Sequence, residues 1–278
     1  MVAIANKSHV LAVVNQKGGV GKSTTVINLG VGLARQGKRV LLVDSDAQGD
    51  LTTCLGWRDQ ENLPVTLSTL MGKAIQDIPL SPDEGILYHK EGVDLIPANI
   101  ELSAMEMGLV NAMRREITLR NCLVDAKQKY DYILIDCPPS LSMLTINALA
   151  AADSVIIPVQ AQYLPAKGMV QLLQTIERVK KHINPNLNID GILLTLVDNR
   201  TNLAKNTAQA IQSGYGKRIR VFEAQIPVSV KAAEMSSTGQ SIFSYAPNGK
   251  VAAAYAQLTK EVIDGARQRT KLHTPHVR

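Results

Sequence analysis

The chain has 278 residues, which is enough for one large domain and too few for two of comfortable size. Hydrophobic residues make up 45% of it but aromatic residues only 4%, so we expect an aliphatic core of the kind that buried parallel strands build. The formal net charge of +6 favours a polyanionic partner, and the three cysteines, none in a CxxC pair, argue against a disulfide framework or a zinc site.

Aliphatic runs alternate with amphipathic segments along the chain, a pattern typical of a mostly parallel sheet. The predicted strands cover residues 9–15, 38–44, 92–98, 131–139, 154–160, 189–198 and 218–227. The predicted helices cover residues 23–36, 102–129, 141–150, 168–183, 203–213 and 250–268, with short helices within 50–90. We therefore predict one α/β domain, a twisted sheet with helices on both faces, whose core spans residues 9–263. Residues 267–278 are basic, lack acids and are predicted to be a flexible tail.

A glycine-rich loop lies between the first predicted strand and the first helix. Its glycines let successive backbone N–H groups turn toward a phosphate, and the helix points its N-terminus at the same anion. Lys22 is placed to reach the β- and γ-phosphates, and the Ser23 hydroxyl suits Mg²⁺. The sequence therefore predicts a P-loop NTPase that uses ATP and Mg²⁺. The predicted nucleotide-binding residues of this loop are Lys17, Gly18, Gly19, Val20, Gly21, Lys22, Ser23 and Thr24.

Two further predicted strands lead into carboxylates. Asp44 and Asp46 come at the end of the second strand, and Asp136 follows the apolar run at 133–135. Because the carboxyl ends of parallel strands meet at one edge of a sheet, we expect these carboxylates beside the phosphate loop. Asp136 fits a Walker B carboxylate that holds Mg²⁺ through water. Asp44 is interpreted as a strand-end cap and is given no chemical role.

The string KGGVGKS, which begins at Lys17, resembles the deviant Walker A signature of the ParA/MinD group of ATPases. The resemblance implies that Lys17 crosses a dimer interface to the phosphates of the partner's ATP and is catalytic together with Lys22. It also implies that Asp46 orients the attacking water and belongs to the metal site together with Ser23 and Asp136. The chain departs from the group's DxDPQGN motif at Ala47 and Asp50, and neither change removes a carboxylate.

Later segments resemble the ParA/Soj partition branch of that group. Residues 158–163 resemble its PVQxEY strand end, residues 198–201 its DGRT motif and residues 226–234 its IPRNVRxAE motif. The resemblance implies that Pro227 and Ser229 frame the adenine, with the serine standing where asparagine is usual.

The same resemblance implies an ATP-dependent homodimer that binds double-stranded DNA without sequence preference. Arg200 and Lys231 match basic residues of the branch and would pair with DNA phosphates. The N-terminus carries no long extension with a helix-turn-helix, so site-specific reading is expected of a ParB-like centromere-binding partner. The implied function is segregation of a chromosome, a plasmid or another mobile element by a cytoplasmic, nucleoid-associated ATPase.

A MinD-like membrane-surface ATPase, which regulates cell division or positioning, is the alternative. Such an ATPase attaches to the membrane through a C-terminal amphipathic helix, and here Leu272 and Val277 are the sizeable apolar residues near the end.

A redox ATPase similar to the nitrogenase iron protein needs two well-placed cysteines, a spacing that Cys122 and Cys137 do not match. The first residues lack the apolar segment of a signal peptide, and no apolar run approaches the roughly 18 residues of a membrane span. We expect no membrane association.

Overall fold

Aliphatic runs form one sheet of eight strands in the part of the chain that the computed structural model describes, residues 8–161, 166–198 and 200–273. The strands are β1 (His9–Val13), β2 (Val40–Asp44), β3 (Leu87–Tyr88), β4 (Val93–Ile96), β5 (Tyr132–Asp136), β6 (Ser154–Gln160), β7 (Asn188–Val197) and β8 (Val221–Pro227). Every residue of β2 and β5 is buried, because helices cover both faces of the sheet.

The strand order across the sheet is β3-β4-β2-β5-β1-β6-β7-β8. Neighbouring strands are parallel except for the short β3, which pairs antiparallel with β4. The predicted fold class is therefore confirmed. Since β1 lies between β5 and β6, the loop that follows it stands near the middle of the carboxyl edge, where ligands of such sheets bind.

Helices cover the two faces of the sheet. They are α1 (Lys22–Arg35), α2 (Asp50–Cys54), α3 (Leu67–Ile75), α4 (Glu101–Leu109), α5 (Thr118–Cys122), α6 (Ala126–Lys129), α7 (Met143–Ala151), α8 (Ala166–His182), α9 (Asn202–Tyr215), α10 (Val230–Met235), α11 (Ile242–Tyr245) and α12 (Lys250–His273). Helices α1, α2 and α10 to α12 contribute to one core and α3 to α9 to the other. Alternate residues of each central strand enter opposite cores, as the two-residue period of a strand requires.

The helix predicted over residues 102–129 is instead three helices, α4, α5 and α6. The break falls where Arg114 has a φ of 55°, which a continuous helix does not allow. Asn147 of α7 holds the break in place: its amide nitrogen donates to the Arg115 carbonyl at 2.7 Å, and its oxygen accepts from the Leu119 N–H at 3.1 Å. A tertiary contact has overridden local helical periodicity here.

Helix α12 continues through His273, so it includes the first part of the basic segment 267–278. The final residues, 274–278, lie outside the described residues. Within the described ranges, no helix is both long enough and apolar enough to cross a membrane.

Candidate nucleotide-binding site

The loop between β1 and α1 is an open cradle of backbone. Gly21, at a φ of 83°, takes the left-handed conformation that caps α1, and only glycine adopts it without strain. A Cβ atom built at Gly18 or Gly19 would meet no other described atom within 4 Å, so the space beside the loop is open. The loop is shaped to receive an anion at the N-terminus of a 14-residue helix.

The two lysines of the loop lie in different surroundings. Lys22 is 7% exposed, and its Nζ donates across the loop to the Lys17 backbone carbonyl at 3.5 Å. Lys17 is exposed; its backbone N–H donates to Asn15 Oδ1 at 3.0 Å, and its Nζ donates to Gln160 Oε1 at 3.0 Å. Lys22 is thus held inside the cradle, whereas the Lys17 ammonium lies at the surface beside the end of β6.

The carboxyl ends of three adjacent strands meet beside this loop. Val13 of β1 is level with Asp136 of β5, and Asp136 is level with Asp44 of β2. Ser45 follows β2 and binds the Asp136 carbonyl twice, through its backbone N–H at 3.0 Å and its hydroxyl at 2.6 Å. The two acidic strand ends and the phosphate loop therefore form one site.

Asp136 is a buried carboxylate, 1% exposed, and neither of its oxygens has a hydrogen-bond partner among the described residues. Burial raises its pKa well above the usual range, and the nearby Asp44 adds to the rise. Ser23 and Lys22 are close enough to lower the pKa of the same carboxyl, although no hydrogen bond to it meets standard geometry. Two buried oxygens without donors are costly, and a cation in front of them would remove that cost.

Ser23 and Asp136 fit a Mg²⁺ ion. In nucleotide sites this ion is held by one or two carboxylates, by substrate phosphates and by waters. The described residues contain no group of three or more His, Cys, Asp or Glu that could hold a metal, so no all-protein cage exists in this part of the chain. The donor set therefore matches a metal that binds together with a nucleotide.

Asp44 has a structural environment. Its Oδ2 accepts from the Thr52 N–H at 2.9 Å and from the Thr52 hydroxyl at 2.7 Å, and its Oδ1 accepts from the Asp46 N–H at 3.2 Å. Burial raises the pKa of Asp44, and the bonds from Thr52 oppose that rise. The carboxylate thus joins the end of β2 to α2 and to the backbone of Asp46, in keeping with the strand-end cap predicted from sequence.

Asp46 lies just after β2 and is half-buried. Its Oδ1 accepts from the Gln48 N–H at 3.1 Å, and its carbonyl accepts from the Gly49 N–H at 2.9 Å. Partial burial and the charge of Asp46 raise the pKa of Asp50, while Lys22 lowers it. Asp46, Asp50 and Lys22 are therefore close enough to influence one another electrostatically.

The residues predicted to frame the adenine lie where β8 ends. Pro227 is the last residue of β8, Ser229 precedes α10, and both are half-buried. The chain between them is fixed by a hydrogen bond from the Val228 N–H to the Val197 carbonyl at 3.2 Å. This places both at the carboxyl edge that carries the phosphate loop, with β6 and β7 between β8 and β1.

The predicted DNA contacts also lie at that edge, because Arg200 follows β7 and Lys231 belongs to α10, directly after β8. Both side chains are exposed. The Arg200 guanidinium donates two hydrogen bonds to the Asp198 carboxylate, each at 2.9 Å, and this contact lowers the pKa of Asp198 to about 2. Asn199 and residues 162–163 of the predicted motifs lie outside the described residues.

Two buried residues that received no role from the sequence fix the loop from neighbouring strands. The Thr195 hydroxyl of β7 donates to the Val20 carbonyl at 2.8 Å, and the Asn15 amide donates to the Pro158 carbonyl of β6 at 2.6 Å. A threonine within an apolar strand and one asparagine at a strand end carry no distinctive sequence signal. Only the pairing of distant segments gives them a role.

Comparisons with known proteins agree with this geometry. Residues 8–189 match the family profile described as an AAA domain. The chain is 44% identical to the sporulation initiation inhibitor protein Soj of Bacillus subtilis, an alignment that covers 91% of this chain and 97% of that protein. It is 42% identical to the chromosome partitioning protein ParA of Caulobacter vibrioides, over 95% and 97% of the two chains. A cobyrinic acid a,c-diamide synthase from Mycobacterium smegmatis, solved with bound ADP and magnesium, superposes with a TM-score of 0.82 at 36% identity, over 94% and 96% of the chains.

Proposed function

Because this chain belongs to the ParA/Soj family of partition ATPases, we propose that it segregates a chromosome, a plasmid or another mobile element through an ATP-driven cycle of dimerisation and DNA binding. It is an ATPase, and its cofactors are ATP and Mg²⁺. The observation that carries the proposal is the meeting of β1, β2 and β5 at one point, where the phosphate loop, Asp46 and Asp136 stand together.

The residues of this site divide the chemistry among them. The loop amides and the Lys22 ammonium bind the phosphates, and Ser23 with Asp136 would hold Mg²⁺. When bound, Mg²⁺ neutralises charge that develops on the transferred phosphoryl group. Asp46 is half-buried at the mouth of the site, and in the proposal its carboxylate orients the attacking water.

In the proposal, dimerisation brings a further positive charge to the phosphates of each nucleotide. Lys17 is exposed beside the cradle, and in the proposal it reaches the phosphates held by a second copy of the chain. Two nucleotides would then be closed between two carboxyl edges. Pro227 and Ser229 would frame the adenine from the end of β8 on the same edge.

In the proposal, closure of the dimer also allows it to bind DNA. Arg200 and Lys231 are exposed after the neighbouring strands β7 and β8, so a closed dimer would present two copies of a basic patch. Duplication of a patch raises avidity for a polyanion without any new kind of contact. Hydrolysis would open the dimer and release the DNA. A ParB-like centromere-binding protein is the proposed partner that stimulates this step, at the nucleoid in the cytoplasm.

The experiment is binding of the chain to random-sequence duplex DNA with ATP, ADP or no nucleotide, at two salt concentrations. We expect binding only with ATP and weaker binding at higher salt. Arg200→Ala should weaken binding and reduce the slope of log affinity against log salt by about one unit per chain. Lys17→Ala should abolish the DNA binding that ATP induces and lower ATP turnover by roughly 10²-fold or more.

Lys217→Ala is the matched control, because Lys217 is also exposed but precedes β8 and so lies at the opposite edge of the sheet. It should leave DNA binding close to that of the unmodified chain. Binding that ignores nucleotide would contradict the proposed cycle. Absence of DNA binding in every nucleotide state, together with ATP-dependent binding to anionic lipid vesicles, would favour the MinD-like alternative.

A further inference from the structure

We propose that Gln60 is a positioning residue for ATP hydrolysis, because its side-chain amide clamps the turn that carries Asp46. The inference rests on the proposed function, in which Asp46 orients the attacking water. Gln60 begins a single 3-10 turn, Gln60–Asn62, in the segment between α2 and α3. No sequence motif marks it.

The clamped segment is a four-residue turn, residues 46–49, closed by the hydrogen bond from the Gly49 N–H to the Asp46 carbonyl at 2.9 Å. Its start is fixed, since the Asp46 N–H donates to the buried Asp44 carboxylate. Its end is Gly49, which adopts the left-handed conformation at a φ of 63° and caps α2. The position of the Asp46 side chain therefore depends on how firmly Gly49 is held.

Gln60 holds Gly49 from outside the turn. Its Nε2 donates to the Gly49 carbonyl at 2.7 Å and also to the Thr53 hydroxyl of α2. These two bonds engage both hydrogens of the amide nitrogen. A Cβ atom at Gly49 would collide with the Gln60 amide, so the two residues are in close packing contact. The clamp thus joins the end of the turn to the helix that follows it.

Ala47 does not itself restrain the backbone of the turn. It occupies the second position of the turn, where proline is favoured because its ring fixes φ near −65°. Alanine imposes no such restraint, and the conformational freedom of this backbone has to be limited by other contacts. Gln60 supplies from outside the turn the restraint that Ala47 does not supply from within it.

The test is steady-state ATP hydrolysis by the full chain with Mg²⁺ and random-sequence duplex DNA. Gln60→Ala is expected to lower kcat about ten-fold, because a displaced carboxylate no longer aligns the water with the γ-phosphate. The phosphate loop is untouched, so the Kd for ATP should stay within about two-fold of that of the unmodified chain. A split between kcat and affinity separates positioning from general damage to the site.

Two further variants complete the design. Asn62→Ala is the matched control: it lies in the same turn, and its amide donates to Asp59 at 3.0 and 2.9 Å. It should keep the kcat of the unmodified chain. Ala47→Pro in the Gln60→Ala background should recover most of the lost kcat, because the proline ring restores a restraint on the turn.

The outcomes are distinguishable. Unchanged kcat in Gln60→Ala, measured beside an active unmodified chain, would overturn the inference and leave the proposed function standing. Absence of hydrolysis in the unmodified chain would contradict the proposed function itself. A joint loss of kcat and ATP affinity that Ala47→Pro does not rescue would show a folding role only, and it would also overturn the inference.

Discussion

Charged side chains at the carboxyl edge differ in how their charge is compensated. Asp136 is buried and neither of its carboxylate oxygens has a hydrogen-bond partner among the described residues, so a cation bound in front of it would stabilise its ionised form. Arg200 is the opposite case, with a side chain that is 90% exposed yet already paired with Asp198. To bind DNA, its guanidinium has to exchange an internal carboxylate for a phosphate. That exchange lowers the net binding free energy that the arginine–phosphate contact contributes.

Asp198→Asn is therefore expected to strengthen DNA binding. The guanidinium no longer has to leave a carboxylate, and because the pair is exposed we expect a gain of up to about five-fold at low salt. Fluorescence anisotropy with random-sequence duplex DNA and ATP measures it. In the Arg200→Ala background the same substitution should give no comparable gain. An equal gain in both backgrounds would show a general charge effect and would contradict the exchange.

Among the elements, the phosphate loop is positioned by segments distant in sequence. Strand β7 holds its Val20 carbonyl through the Thr195 hydroxyl. Helix α1 is tied to α11 by the buried Asn28, whose amide nitrogen donates to the Thr24 carbonyl at 2.8 Å and whose oxygen accepts from the Ile242 N–H at 2.7 Å. The cradle is thus pre-formed by contacts on two sides, which reduces the ordering cost of nucleotide binding.

Thr195→Val should loosen this cradle. The substitution keeps the shape of the side chain but leaves the Val20 carbonyl buried without its partner, at a cost of about 1–3 kcal/mol in the free energy of unfolding. Denaturant unfolding measures the loss, and a nucleotide titration should show weaker ATP binding. Thr175→Val is the matched control, since the Thr175 hydroxyl donates to the Gln171 carbonyl at an exposed site of α8. Equal effects of the two substitutions would refute a special role for Thr195.

At the scale of the whole molecule, α12 packs closely against α1, the helix that begins at the phosphate loop. Gly32 lies where the helices meet, and a Cβ atom there would collide with the Thr259 hydroxyl and lie 3.5 Å from the Phe243 ring. The Thr259 hydroxyl itself donates to the Tyr255 carbonyl at 2.8 Å, so it is not free to turn away. The long C-terminal helix thus holds the helix that begins at the phosphate loop.

Gly32→Ala is expected to lower the free energy of unfolding by about 1–3 kcal/mol, because the added methyl group forces the two helices apart. Gly108→Ala in α4 is the control: a Cβ atom there meets no described atom within 4 Å. That change should be neutral or stabilising by up to about 1 kcal/mol, since alanine favours a helix more than glycine does. Chemical denaturation of both variants is the measurement. Equal destabilisation of the two would contradict the packing argument.

The sequence by itself determined the features that depend on neighbouring residues. Hydrophobic periodicity specifies the alternation of strands and helices, and the spacing of glycines and lysines in 16–24 specifies a phosphate loop, because both act over one or two turns of backbone. It also predicted Asp46 and Asp136 as site carboxylates, because parallel strands place their carboxyl ends together.

The tertiary structure alone decided what depends on pairing between distant segments. The hydrogen bonds of Asn147 end the predicted helix near Arg114. Thr195 reaches the phosphate loop from β7, and Gln60 contacts Gly49 from the segment after α2. None of these contacts has a local signature, because a single buried hydrogen bond can be supplied by many residue types at many separations. The strand order and the packing of the folded sheet determine which residue forms each of these hydrogen bonds.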